Sequence, residues 1–267
     1  MARPETKALW DKSMSEQEWD KLAYTRFTPG AGFGKAGKED CGTWSRLKQM
    51  DDQWYIRYPG QQKGLGFNLR LGLTSFNHVG VFPEQAPNWE YIYSHCKPGM
   101  KVLNLFAYTG GATLAARAAG ADVTHLDSVR QVVNWARGNM DKSGMDGIHW
   151  VVEDAMKFVR REAKRGRLYD GIILDPPAYG HGPDGERWKL DDCLFDMLRE
   201  VNKILSDKNS FMVLNLYSNG YSALLGETIV KEALGLKGDY KMESGELALR
   251  DRFGKNLPLS IVVRLAR

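Results

Sequence analysis

The chain has 267 residues, 43% hydrophobic and 26% charged, with a formal net charge of +4, which fits one large domain or a domain with a smaller attachment. No run reaches the roughly 18 apolar residues of a membrane span, the first residues lack a signal peptide's apolar core, and Cys41, Cys96 and Cys193 stand far apart without a CxxC pair. A cytoplasmic protein with no membrane segment, disulfide framework or metal is expected, and the charge leans only weakly towards a polyanionic partner.

Residues 1–80 read as an arm and a small β-rich subdomain suited to presenting a substrate. Trp10, Trp19, Trp44 and Trp54 fall here. So does Gly30-Ala31-Gly32-Phe33-Gly34, which Lys35 and Lys38 follow where a phosphate cradle would open a helix. A flexible loop is the better reading. Alternating runs from Trp54 to Tyr58 and from Phe67 to Leu73 predict strands, and His78 to Phe82 predicts a third.

Residues 81–267 alternate strand and helix, the mark of a mostly parallel sheet. A lead-in helix is predicted from Glu84 to Cys96, stopped by Pro98-Gly99. Strands are expected at Lys101 to Phe106, Asp122 to Leu126, His149 to Val152, Gly171 to Leu174 and Ser210 to Leu216. Helices are expected at Gly111 to Ala119, Val129 to Lys142, Ala155 to Arg165, Leu190 to Leu205 and Ala223 to Leu234. Ser128 and Asp154 are candidate caps for the second and third of these. The closing runs, Glu246 to Arg250 and Leu259 to Leu265, have no helix between them and predict an antiparallel hairpin. A dinucleotide-binding sheet would join its last strands through helices.

Three strand ends carry candidate ligand contacts. At Asn104 to Gly111 the chain must turn sharply under a ligand, with Gly110 and Gly111 supplying backbone freedom. Phe106 and Tyr108 stand where a GxGxxG fingerprint would have glycines. A pyrophosphate would have little room against those rings, whereas a methionine tail with a sulfonium would meet an aromatic face that favours a cation. Asp127 ends the second strand, where an acid can accept both ribose hydroxyls. Asp154, after the third strand, can accept from an adenine amino group while Ala155 offers an amide. Singly each has a plainer reading as a buried strand, a helix start or a cap; the three in order are far more specific.

At the fourth strand end, Asp175-Pro176-Pro177-Ala178-Tyr179 places a carboxylate, two rigid prolines and a ring. Asp175 and the Pro176 carbonyl can accept from the two hydrogens of a planar amino group, and Tyr179 can stack on a base. The plainer alternative is a strand stopped by prolines. The loop Gly180 to Arg187 leads to Trp188-Lys189 and could fold over a substrate, with Arg187 and Lys189 on phosphates and Trp188 stacking. His181 is better read as solvated than as a base. The basic run Arg160, Arg161, Lys164, Arg165 and Arg167 reads first as a solvated helix end and second as an RNA track.

Asn104 to Gly111 and Asp175 to Gly180 resemble the signature turns of class I S-adenosylmethionine-dependent methyltransferases, in the branch related to bacterial 23S rRNA methyltransferases. Phe82-Pro83-Glu84-Gln85 resembles that family's lead-in helix, which runs along the cofactor. The resemblance spans roughly residues 78–267 and implies a Rossmann-like, seven-stranded α/β sheet, parallel with a C-terminal antiparallel hairpin, beside the small N-terminal β-rich subdomain. It implies S-adenosyl-L-methionine as cofactor, held by Phe82, Gln85, Asn104, Phe106, Ala107, Tyr108, Gly110, Gly111, Asp127, Ser128, Asp154, Ala155 and Asp175. Cytosine-C5 members attack the base with a cysteine after the fifth strand. Here Asn215 to Gly220 carries Ser218 in its place. The expected activity is methylation of a base nitrogen of RNA, ribosomal above all, without a cysteine nucleophile. The alternatives are a small-molecule or protein methyltransferase and a non-catalytic RNA-binding relative.

Overall fold

The computed structural model describes the chain except residues 3, 4, 6, 32–40, 75–77 and 218–219. The glycine-rich stretch from Gly32 onward, Lys35, Lys38 and Ser218 thus lie outside the described residues.

Ahead of the main sheet come α1 (Glu16–Leu22), the hairpin of β1 (Thr25–Pro29) and β2 (Gly42–Arg46), and the hairpin of β3 (Gln53–Tyr58) and β4 (Phe67–Gly72). Helix α1 buries no residue, so it has no apolar stripe for sequence reading to find; a capping box between Ser15 and Glu18 starts it. The third strand predicted from His78 to Phe82 does not form. Gly80 takes φ +99° there, and the segment meets the end of β4 with Val79 O accepting from Gly72 N at 3.0 Å.

A 3-10 turn at Pro83–Gln85 opens α2 (Ala86–His95). Strict alternation follows: β5 (Lys101–Leu105), α3 (Gly111–Ala118), β6 (Asp122–Asp127), α4 (Arg130–Lys142), β7 (Ile148–Val152), α5 (Ala155–Lys164) and β8 (Gly171–Leu174). The glycine-rich loop predicted from Gly180 to Arg187 is instead a hairpin of β9 (Tyr179–His181) and β10 (Arg187–Lys189). Then come α6 (Leu190–Asn202), β11 (Phe211–Leu216), α7 (Ala223–Leu234) and the closing hairpin of β12 (Lys241–Arg250) and β13 (Asn256–Ala266).

The main sheet has seven strands in the order β12-β13-β11-β8-β5-β6-β7. From β7 to β11 the strands are parallel, and β13 is antiparallel to both neighbours. This is the expected fold class. Helices cover both faces, so the central strands read as unbroken apolar runs. Leu103, Leu105, Ile172, Leu174, Met212 and Leu214 pack towards α5, α6 and α7. Val102, Ile173 and Val213 pack towards α2 and α3, in a core that also takes Phe67 and Leu69 of β4.

Chain order reverses between β5 and β8: the chain leaves β5 for β6 on one side and returns to β8 on the other. Loops diverge at such a point and open a crevice outside the strands' carboxyl ends.

Candidate active site

The turn after β5 is built against its own backbone preferences. Phe106 and Tyr108 adopt φ +56° and +47°, left-handed values that cost an L-residue roughly 1–2 kcal/mol each. Gly110 follows at φ +89°. A side chain on Gly111 would strike the Trp89 ring at 2.7 Å, so the start of α3 can sit close to α2 only as glycine. The glycine-fingerprint backbone is thus kept with two aromatic residues in it. Hydrogen bonds to neighbouring elements hold the turn: Ala107 N donates to Leu126 O at 3.0 Å, Asn139 Nδ2 to Thr109 O at 2.9 Å and Thr109 Oγ1 to Gly80 O at 2.8 Å. Asn104 is buried, its Nδ2 donating to Thr113 Oγ1 at 2.9 Å. Thr113 Oγ1 also meets His125 Nδ1 at 2.9 Å, and burial lowers that imidazole to about 3, so it stays neutral.

Asp127 is gripped from behind. Its Oδ2 accepts from Tyr108 N at 3.0 Å and its Oδ1 from Val129 N at 2.9 Å. Burial raises its pKa, and the amides of Val129, Tyr108 and Ser128 oppose the rise. Acceptor capacity remains on the carboxylate for a further donor. Ser128 does not cap α4 as expected; the helix starts after Val129 without a side-chain cap, and the carboxylate already bonds the Val129 amide. Asp154 does cap α5, accepting from Lys157 N at 2.8 Å, worth about 1 kcal/mol. Its other oxygen remains for a ligand.

Two clefts meet at Phe106. The larger, about 550 Å³, is lined among others by Phe82, Gln85, Asn104, Tyr108, Gly110 and Asp175. The smaller, about 320 Å³, is lined by Asp127, Ser128, Asp154, Ala155, Pro177 and Trp188 with their neighbours. The structure therefore gathers the expected cofactor residues, from several strand ends, along one crevice. An adenosine-sized group at Asp127 and Asp154, joined past Phe106 to an amino-acid-sized group at the uncapped start of α3, fits this donor and acceptor set.

Asp175 sits at the floor of the larger cleft, its Oδ1 accepting from Asn215 Nδ2 at 2.8 Å. Burial pushes it up to about 7; the Asn215 amide opposes this, and the neighbouring Glu84 carboxylate adds to the rise. Sequence reading missed both partners. Asn215 was detectable as a polar residue inside the apolar run of β11. Glu84 was not, because an acid after proline at a helix start is ordinarily solvated, whereas this one is 4% exposed. Tyr217 joins the cluster: its hydroxyl bonds Glu84 and accepts from Gln85 Nε2 at 3.0 Å, and its ring centroid lies 5.2 Å from Phe82.

The hairpin of β9 and β10 sorts the expected substrate contacts. Tyr179 is 57% exposed and opposes Lys189, while Arg187 opposes His181. Arg187 is exposed; Lys189 pairs with Asp192 at 3.0 Å. Trp188 is a correction. Only 6% exposed, it donates from Nε1 to Pro177 O at 2.7 Å and faces Phe106 at 4.8 Å. It forms a wall of the crevice and has no free face for a nucleic acid. The basic run on α5 is also mostly spent on ion pairs. Arg160 reaches Glu200, Arg161 pairs with Glu153, and Arg165 and Arg167 both reach the buried Glu162. Among the described residues no cluster of His, Cys, Asp or Glu could hold a metal, and no helix could cross a membrane.

The family model for S-adenosylmethionine-dependent methyltransferases matches residues 50–244. The crystal structure of an S-adenosylmethionine-dependent methyltransferase from Agrobacterium tumefaciens is 36% identical, covering 99% of this chain and 83% of that one with a TM-score of 0.87. Ribosomal RNA large subunit methyltransferase K/L from Shewanella frigidimarina is 29% identical over 154 residues, 56% of this chain and 21% of that protein. Its counterpart from Pseudoalteromonas translucida is 25% identical over 212 residues, 76% of this chain and 29% of that protein. The chain thus spans less than a third of the length of these curated relatives. The family match covers most of the chain and includes every strand end of the crevice, and the chain belongs to the S-adenosylmethionine-dependent methyltransferases.

Proposed function

We propose that this methyltransferase acts on RNA, specifically large-subunit ribosomal RNA, and delivers the methyl group to a base nitrogen. The observation that carries this reading is Asp175, a carboxyl that lines the larger cleft and is poised near neutrality, followed along the chain by the exposed Tyr179. The names of the curated relatives support the ribosomal substrate.

S-adenosylmethionine, when bound, supplies a methyl on a sulfonium with a neutral thioether leaving group. The chain's own residues do the rest. Asp127 would accept from the ribose hydroxyls and Asp154 from the adenine amino group, and the first amides of α3 would hold the methionine carboxylate. Phe82, Phe106 and Tyr108, which line the larger cleft, would offer the sulfonium aromatic faces. At the reacting end, Asp175 and the Pro176 carbonyl accept from the acceptor's amino hydrogens. That orientation frees the nitrogen lone pair, and positioning supplies most of the rate. As nitrogen gains the methyl it loses a proton, and the Asp175 carboxylate takes it; a group near pH 7 is matched to that task. Tyr179 stacks on the base, and Arg187 and Lys189 meet phosphates of the RNA backbone.

A cysteine-dependent attack on carbon has little support: among the described residues no cysteine lines either cleft. The cysteines are also unpaired, which suits a reducing cytoplasm. The test is nucleoside mass spectrometry of ribosomal RNA from cells with and without the gene. A lost N-methyl nucleoside that returns with the wild-type gene and not with Asp175→Ala is expected. Unchanged nucleosides, or restoration by Asp175→Ala, would overturn the assignment.

A further inference from the structure

The outer face of the β3–β4 hairpin is a second candidate contact surface, distinct from the crevice. In the antiparallel register Tyr55 faces Arg70, Arg57 faces Asn68 and Gln53 faces Gly72. Directly opposed residues share a face, so Gln53, Tyr55, Arg57, Asn68 and Arg70 project together. The opposite face carries Phe67, Leu69 and Leu71, all buried. Helix α4 borders the outer face. Arg70 N donates to Asn139 Oδ1 at 2.7 Å, and Trp135 Nε1 donates to Arg70 O at 3.0 Å.

The side chains of this face are cations and rings. The Arg70 guanidinium lies 4.6 Å from the Trp135 ring centroid, and Lys142 Nζ lies 5.1 Å from that of Tyr55, which is 46% exposed. The hairpin contributes no carboxylate to the face. Arg57, Arg70 and Lys142 make no ion pair with a described residue, in contrast to the arginines of α5, whose charge is neutralised by Glu153, Glu162 and Glu200. The surface is also coupled to the crevice. Leu69, on the reverse of the same strand, and Val81 line the larger cleft, and the Trp135 ring packs against Gly80, whose carbonyl holds Thr109 of the cofactor turn.

We infer that this face docks a single-stranded segment of the RNA substrate, with a base stacked on Tyr55 and phosphates met by Arg57, Arg70 and Lys142. An exposed ring beside cations that make no ion pair with a described residue suits unstacked bases on a polyanionic backbone, which a duplex does not offer. The inference rests on the RNA acceptor proposed above.

The test uses the full chain and a fluorescein-labelled, mixed-sequence single-stranded RNA 20-mer, read by anisotropy across a salt series. Tyr55→Ala should weaken binding about fivefold or more. The triple variant Arg57→Glu, Arg70→Glu, Lys142→Glu should weaken it further and flatten the log–log salt slope by about 0.7 per lost phosphate contact. Lys164→Glu on α5 should change nothing, and S-adenosylhomocysteine titrated by calorimetry should bind all variants like wild type, showing that the fold and crevice survive. Wild-type binding that the variants retain would overturn the docking surface and leave the RNA acceptor standing. Equal affinity for a duplex would overturn the single-strand assignment. Wild type that takes up S-adenosylhomocysteine and no RNA would overturn both.

Discussion

Asp127 and Asp175 end parallel strands of the same sheet edge, yet their surroundings differ in kind. Asp127 is held by backbone amides from Tyr108, Ser128 and Val129, donors that cannot leave and that stabilise a charge wherever the side chain sits. Asp175 has one side-chain amide, from Asn215, and a second carboxylate, Glu84, close by. Burial raises both, but only the second is left near neutrality. A carboxylate backed by peptide amides is built to stay an acceptor. One backed by a single amide beside another acid is built to exchange a proton. The proposed function accordingly assigns binding to Asp127 and proton transfer to Asp175.

The sharpest way to break this division is at the reacting end. Asp175→Ala is expected to lower methyl transfer by about a hundredfold or more, with S-adenosylhomocysteine affinity within a few-fold of wild type by calorimetry. A large loss of affinity there would show that the two ends are not separate. Asp127→Ala should do the reverse to the affinity. Two charge-assisted hydrogen bonds to a ribose, at about 1.5–3 kcal/mol each, predict binding weaker by about a hundredfold or more; binding within threefold of wild type would remove the clasp.

The pH dependence sharpens the same contrast. The ordinary aspartate value is 3.8 and folded Asp175 stands at about 7, so between those values the folded chain holds a proton that the unfolded chain has released. Stability must fall as pH rises through that window and level off above it. Asp175→Asn should therefore raise the melting temperature by a few degrees at pH 8 and by little at pH 4.5. A gain of the same size at both pH values would mean that the carboxyl is not raised. Wild-type transfer rates should climb as Asp175 ionises towards pH 7 and above, and a pH-independent rate would argue against it as the proton acceptor.

The smallest effect concerns the turn between the two ends. At φ +47°, Tyr108 occupies a backbone state that glycine takes freely. Tyr108→Gly should be more stable than Tyr108→Ala by about 1 kcal/mol, measured by denaturant unfolding. Equal stabilities would mean that the left-handed turn relaxes in solution.

The alternation of apolar runs with helical stretches fixed which residues end strands, because a strand buried on both faces needs an unbroken apolar run and must stop where a polar or glycine-rich turn begins. Asp127, Asp154 and Asp175 were therefore legible as strand-end acids, and β8 and α7 stand where they were predicted. Tertiary packing decided what surrounds those residues. Nothing local separates Trp188, sealed against Phe106 and Pro177, from an exposed tryptophan on a loop. Nothing local distinguishes Arg165 and Arg167 at the end of α5, neutralised in part by the buried Glu162, from Arg57, Arg70 and Lys142, which have no such partner among the described residues. Element identity is written in short-range periodicity; the state of a charge depends on what the fold brings beside it from far along the chain.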